Sequence, residues 1–95
     1  MTTIEVRTDP DPAGDGWRCT VRVADERGAT EHVVRVRPAD VERLDPGAAD
    51  PTDLVSRSFE FLLAREPKES ILRSFDLPAI GRYVPEYEAA IRRRV

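Results

Sequence analysis

A chain of 95 residues, 40% hydrophobic and 35% charged, is long enough for one core and too short for two, too apolar to stay disordered and too polar for a membrane protein. Its net charge of -3 gives no global attraction to nucleic acid or to an anionic membrane, and its single cysteine, Cys19, excludes an internal disulfide and a cysteine-based metal cage. The longest apolar stretch, Phe61 to Ala64, is far too short for a membrane span, and the first residues lack a basic and apolar signal pattern, so the expected location is the cytoplasm.

Residues 3–7 alternate, with Ile4 and Val6 on one side, and predict a short first strand. Prolines and glycines across Asp9 to Gly16 predict a loop. Trp17, Cys19, Val21 and Val23 then alternate with Arg18, Thr20 and Arg22, and after Asp25-Glu26-Arg27-Gly28 the residues His32, Val34 and Val36 alternate with Val33, Arg35 and Arg37. This is a hairpin whose register follows from sidedness, because a one-residue slip would move Val34 and Val36 onto the arginine face. Pairing Ala24 with Ala29 keeps both faces pure, and it sets Cys19 opposite Val34, Val21 opposite His32, Trp17 opposite Val36, Arg22 opposite Glu31 and Arg18 opposite Arg35.

Pro38 to Leu44 predicts a helical turn or two, closed by Asp45-Pro46-Gly47. A longer helix follows. Asp50 is placed to cap it, Pro51 suits its first position, Asp53 complements its dipole, and it is expected to run to about Arg65. On a helical wheel Leu54, Val55, Ser58, Phe59, Phe61, Leu62 and Leu63 cover more than half the circumference, which predicts burial against two neighbours and leaves Ser56, Arg57, Glu60 and Ala64 for solvent. Pro67, Asp76 and Pro85 predict three short helices at about 67–74, 77–83 and 85–94, with Ile71, Leu72, Phe75, Leu77, Ile80, Tyr83, Val84, Tyr87 and Ile91 on their buried faces.

The expected fold is therefore a single α+β domain over 1–95. A small antiparallel sheet of about three strands, formed within 1–38, packs against a long helix and short C-terminal helices within 39–95. Ser58-Phe59-Glu60-Phe61-Leu62-Leu63, Arg65-Glu66-Pro67, Ser70-Ile71-Leu72, Phe75-Asp76-Leu77 and Tyr83-Val84-Pro85-Glu86-Tyr87-Glu88 resemble a group of small bacterial proteins of unknown function. The resemblance covers the C-terminal half and implies no activity, ligand or catalytic residue.

Chemistry-bearing residues are few. His32, the only histidine, falls on the apolar face of the hairpin without a cluster of metal ligands, and Cys19 occupies a strand position with no basic partner on its face, so both read as structural. No nucleophile elbow or phosphate-binding glycine loop is present. A helix-turn-helix alignment over Glu69 to Val84 fails, because Arg82 and Pro85 fall at positions that need aliphatics and Asp76 replaces the turn glycine. The basic run at Arg92 reads as a solvated helix end. Glu66 and Glu69 read as carboxylates at the start of the helix beginning at Pro67, although Glu66 also falls near the middle of the long helix's apolar stripe.

These residues point to a small binding or regulatory module without catalytic activity or cofactor, acting through a protein partner or as a homodimer. The candidate partner-binding residues are Arg18, Arg22, Arg35 and Arg37, which share the outer face of the hairpin with Arg7 and are opposed there only by Glu5 and Glu31. Two alternatives stand beside this reading: a nucleic-acid-associated protein using that arginine face, and a small-molecule-binding domain or enzyme built around Glu66 and Tyr83.

Overall fold

The computed structural model describes residues 1–92. A four-stranded mixed sheet is covered on one face by helices. Strands β1 (Thr3–Pro10), β2 (Trp17–Asp25) and β3 (Gly28–Val36) form an antiparallel meander, and β4 (Ser74–Asp76) adds to β3 in parallel, giving the order β1-β2-β3-β4. Helices α1 (Pro38–Leu44) and α2 (Thr52–Leu63) follow β3. A 3-10 turn at Lys68–Ser70 precedes β4, and α3 (Ala79–Tyr83) and α4 (Tyr87–Ile91) follow it.

The hairpin register is the one that sidedness demands. Cys19 pairs with Val34, Val21 with His32, Arg18 with Arg35 and Arg22 with Glu31. Pairing continues one step past Ala24 and Ala29 to Asp25 and Gly28, so the loop is two residues shorter than expected. Glu26 and Arg27 keep negative φ because Gly28 takes φ 136°, and the Asp25 carboxylate receives the Arg27 N–H at 2.8 Å. Gly16 is needed for a different reason: it has φ 100°, and a Cβ there would lie 2.4 Å from the Val36 carbonyl oxygen.

Three expectations need correction. The first strand runs on through Asp9 and Pro10, which pair with Arg18 and Trp17, so the loop starts later. Residues 67–74 are not a helix but a single 3-10 turn leading into β4, so the sheet draws on the second half of the chain and is only partly antiparallel. Backbone bonds from the Val33 N–H to the Arg73 carbonyl (2.8 Å) and from the Leu77 N–H to the Arg35 carbonyl (2.9 Å) fix β4. A parallel partner requires a long connection, and residues 37–73 provide it. The last helix spans only Tyr87–Ile91 of the expected 85–94, with Arg92 already extended beyond its end, and Arg93 and Arg94 lie outside the described residues.

Helix α2 starts one residue later than expected, at Thr52 with Pro51 rather than Asp50 at the N-cap, although the Asp50 carboxylate still receives the Thr52 N–H at 2.9 Å, and it stops at Leu63, short of Arg65. Its buried residues Leu54, Val55, Phe59 and Leu62 meet Cys19, Val21, Val23, Val34 and Val36 from the sheet and Tyr87 and Ile91 from α4. Phe59 packs on two strands of the sheet: its ring lies 5.3 Å from that of His32 on β3 and 6.2 Å from that of Phe75 on β4. Ser58, fully buried, donates to the Leu54 carbonyl at 2.7 Å and accepts from the Tyr87 hydroxyl at 2.7 Å. That bond satisfies a phenol whose pKa burial pushes up to about 12.

Arg57 is not a solvent residue as the wheel implied, its side chain being 22% exposed. Its guanidinium reaches Asp53 on its own helix (2.9 Å), Asp45 after α1 (3.0 Å) and the Ile91 carbonyl at the end of α4 (2.8 Å), so one side chain ties three segments together.

Candidate functional site

The end of α2, the 3-10 turn, β4 and α3 enclose a cleft of about 230 Å³ at the β4 edge of the sheet. Leu62, Ile71, Phe75, Ala79, Ile80 and Val84 form its apolar wall. Two further lining residues are corrections to the expected core: Leu72 is 50% exposed and Tyr83 is 75% exposed, both having been expected on buried helix faces. The loss of the 67–74 helix explains Leu72, because the residue lies in the exposed connection between the 3-10 turn and β4 rather than on a packed helix face. Tyr83 is the last residue of α3, a five-residue helix that buries only Ala79 and Ile80.

Glu66 also lines this cleft, and it is half-buried. Both Arg65 and Glu66 return their N–H groups to the Leu62 carbonyl at 2.9 Å before the chain turns at Pro67, so the carboxylate is delivered to an apolar wall rather than to a helix start. Among the described residues its carboxylate enters no ion pair. Glu69 behaves differently from Glu66, binding Lys68 at 2.7 Å.

Two interior contacts hold the cleft in place. Lys68, the only lysine, is 5% exposed, and its ammonium donates to both Asp25 carboxylate oxygens (2.9 and 3.0 Å), pinning the 3-10 turn to the hairpin loop. Its bonds to Glu69 and Asp25 raise its pKa, and the same bonds lower those of both carboxylates. His32, fully buried, donates from Nδ1 to the Leu72 carbonyl at 2.8 Å, and its Nε2 hydrogen-bonds the Thr30 hydroxyl at 2.8 Å, accepting from it when the ring is neutral. Burial lowers its pKa. Both ring nitrogens are thereby used for structure, and the His32 ring anchors the wall that carries Leu72. Cys19 is fully buried, its Sγ 3.6 Å from the Thr8 hydroxyl, and burial raises its thiol pKa, the opposite of what a nucleophile needs.

The arginine face is less one-sided than the sequence implied. Arg18, Arg22, Arg35 and Arg37 are all exposed, and Arg7 joins them through β1. The longer first strand adds Asp9 to this face and β4 adds Asp76, so four carboxylates, with Glu5 and Glu31, oppose the five arginines. Arg35 pairs with Asp76 at 2.9 Å, Arg7 with Asp9 at 3.2 Å and Arg22 with Glu5 at 3.7 Å. Arg18 and Arg37 make no ion pair among the described residues, and Arg18 stays directly across from Arg35. Arg18→Gln should therefore leave stability unchanged or raise it by under about 0.5 kcal/mol, whereas Arg35→Gln should lower it by up to about 1 kcal/mol. Urea unfolding of the two single variants checks this difference in sign, and equal losses would contradict it.

No helix among the described residues is long and apolar enough to cross a membrane. No family model, curated protein or solved structure matches the chain.

Proposed function

We propose that the protein is a non-catalytic binding module and that the cleft around Glu66, Leu72 and Tyr83 receives a basic side chain of a partner protein, flanked by apolar residues. The observation that carries this reading is a carboxylate without an ion-pair partner among the described residues, half-buried in a wall that apart from Ser70 is apolar and is rimmed by two exposed large hydrophobic side chains. An apolar wall takes the methylene stem of an arginine or lysine, and the carboxylate takes its head through a charge-assisted hydrogen bond. Size favours a side chain over a cofactor. The cleft, at about 230 Å³, falls below the roughly 300–1,000 Å³ of typical small-molecule sites.

A random peptide library selected against the purified protein should enrich arginine or lysine beside apolar residues. Glu66→Gln should weaken the selected peptides about tenfold, the scale of one charge-assisted hydrogen bond, without changing the melting temperature by more than about 2 °C. Enrichment of acidic or purely apolar peptides, or binding indifferent to Glu66, contradicts the reading.

A second reading rests on Arg18. An exposed arginine facing another arginine is locally unfavourable, and a carboxylate-bearing partner on the outer face would relieve it. Nucleic acid is the weaker candidate for that face, since four carboxylates interleave its arginines and the net charge of the chain is -3.

A further inference from the structure

The two edges of the sheet differ. At one, β4 offers three residues and ends where Leu77 turns back to bond Arg35. At the other, β1 offers eight consecutive residues, and every second one directs its N–H and C=O away from β2. Ile4 and Val6 remain only half-buried on its inner side, beside an open groove of about 710 Å³ between β1 and the segment from Asp45 to Ser56. A long edge with incompletely covered apolar side chains is suited to pairing with another strand.

The charges on β1 select the partner. On its outer face Glu5, Arg7 and Asp9 alternate in sign and position. In an antiparallel pair of two identical strands, only registers that place outer residues opposite outer residues keep Ile4 and Val6 on the apolar side. Centring the two-fold axis on Glu5 sets Glu5 against Glu5, and centring it on Arg7 sets Arg7 against Arg7 and Glu5 against Asp9. Centring it on Val6 sets Glu5 against Arg7 twice, Thr3 against Asp9 twice and Val6 against Val6. That register pairs every residue from Thr3 to Asp9 with each facing charge opposite in sign or opposite a hydroxyl.

We infer that a second copy of this chain pairs along β1, antiparallel and centred on Val6, to make a continuous eight-stranded sheet with its helices on one side. The contact is isologous and closes on itself, so it ends at a dimer. The cleft at Glu66 lies by β4, at the far edge, and stays open in both copies. The inference therefore stands whether or not that cleft binds a partner.

Glu5→Lys and Arg7→Glu test it together. In either variant the homodimer sets like charges opposite one another twice, so its dissociation constant, measured by sedimentation equilibrium, should rise at least tenfold. In a 1:1 mixture the lysine introduced at position 5 of one chain faces the glutamate introduced at position 7 of the other, and the native Arg7 of the first faces the native Glu5 of the second. The mixed dimer should therefore form with a dissociation constant within about threefold of the native one. Native-like circular dichroism of each variant separates lost pairing from lost folding. A native chain that stays monomeric across the accessible concentration range overturns the inference, and so does a dimer that the single changes leave intact or that the mixture fails to restore.

Discussion

Phe59→Ala should cost about 3–5 kcal/mol, the largest loss expected from any single truncation in the chain. The ring is fully buried, it lies against the His32 ring of β3 and the Phe75 ring of β4, and it belongs to the helix at the centre of the core cluster. Nothing adjacent can fill the space. The sheet beneath is held in register by its ladder, and Arg57 ties α2 to Asp45 and to the Ile91 carbonyl. Domains of this size are stable by roughly 5–15 kcal/mol and shift by about 4–8 °C per kcal/mol, so the melting temperature should fall by about 12 °C or more. A variant melting within about 2 °C of the parent would remove α2 from the centre of the core.

His32→Ala is expected to be nearly as costly, about 3 kcal/mol, and to change the pH profile as well. The substitution leaves the Leu72 carbonyl and the Thr30 hydroxyl without their partner and opens a hole beside Phe59. Burial, with a smaller contribution from the Arg73 charge, holds the ring's folded-state pKa below the ordinary 6.5 against the opposing effect of the Leu72 bond. The unfolded chain therefore takes up a proton at His32 at a higher pH than the folded chain does. Stability falls as pH drops below about 6.5, with a slope of at most about 1.4 kcal/mol per pH unit, and levels off once the folded ring protonates too. The lowered carboxylates of Asp25, Asp50 and Glu69 lose their contributions only at more acidic pH, below the ordinary range of an acid. Urea unfolding at intervals from pH 7.5 to 5 should thus show a slope in the native protein that is absent from His32→Ala. A slope of equal size in both assigns it to another group.

What could be read ahead of the structure and what could not divide along one line, the sequence distance of the partner. Cys19, Val21, Val34 and His32 alternate within one hairpin, so sidedness alone sets their register. Leu54, Val55, Phe59 and Leu62 recur at helical spacing within a single element, so α2 and its buried stripe are legible. β4 is not. Ser74-Phe75-Asp76 is too short to show a period, and its partner Val33-Val34-Arg35 lies about forty residues earlier. Missing that strand misplaces Leu72 and leaves Arg35 without its carboxylate Asp76. Arg57 is misread for the same reason, since a wheel sees a cation and not the distant Asp45 and Ile91 that receive it. Glu66 is the one site residue with a local signal, a carboxylate at an apolar wheel position, and it does line the cleft.

The cleft and the arginine face lie on separate parts of the molecule, so one measurement distinguishes them. Backbone amide chemical shifts of the isotope-labelled protein, followed while a library-selected basic peptide is added, should move at Leu62, Glu66, Ile71, Leu72, Ile80 and Tyr83 and stay still at Arg18, Arg22 and Arg35. Shifts concentrated on β2 and β3 with the cleft unmoved would contradict the cleft as the docking site.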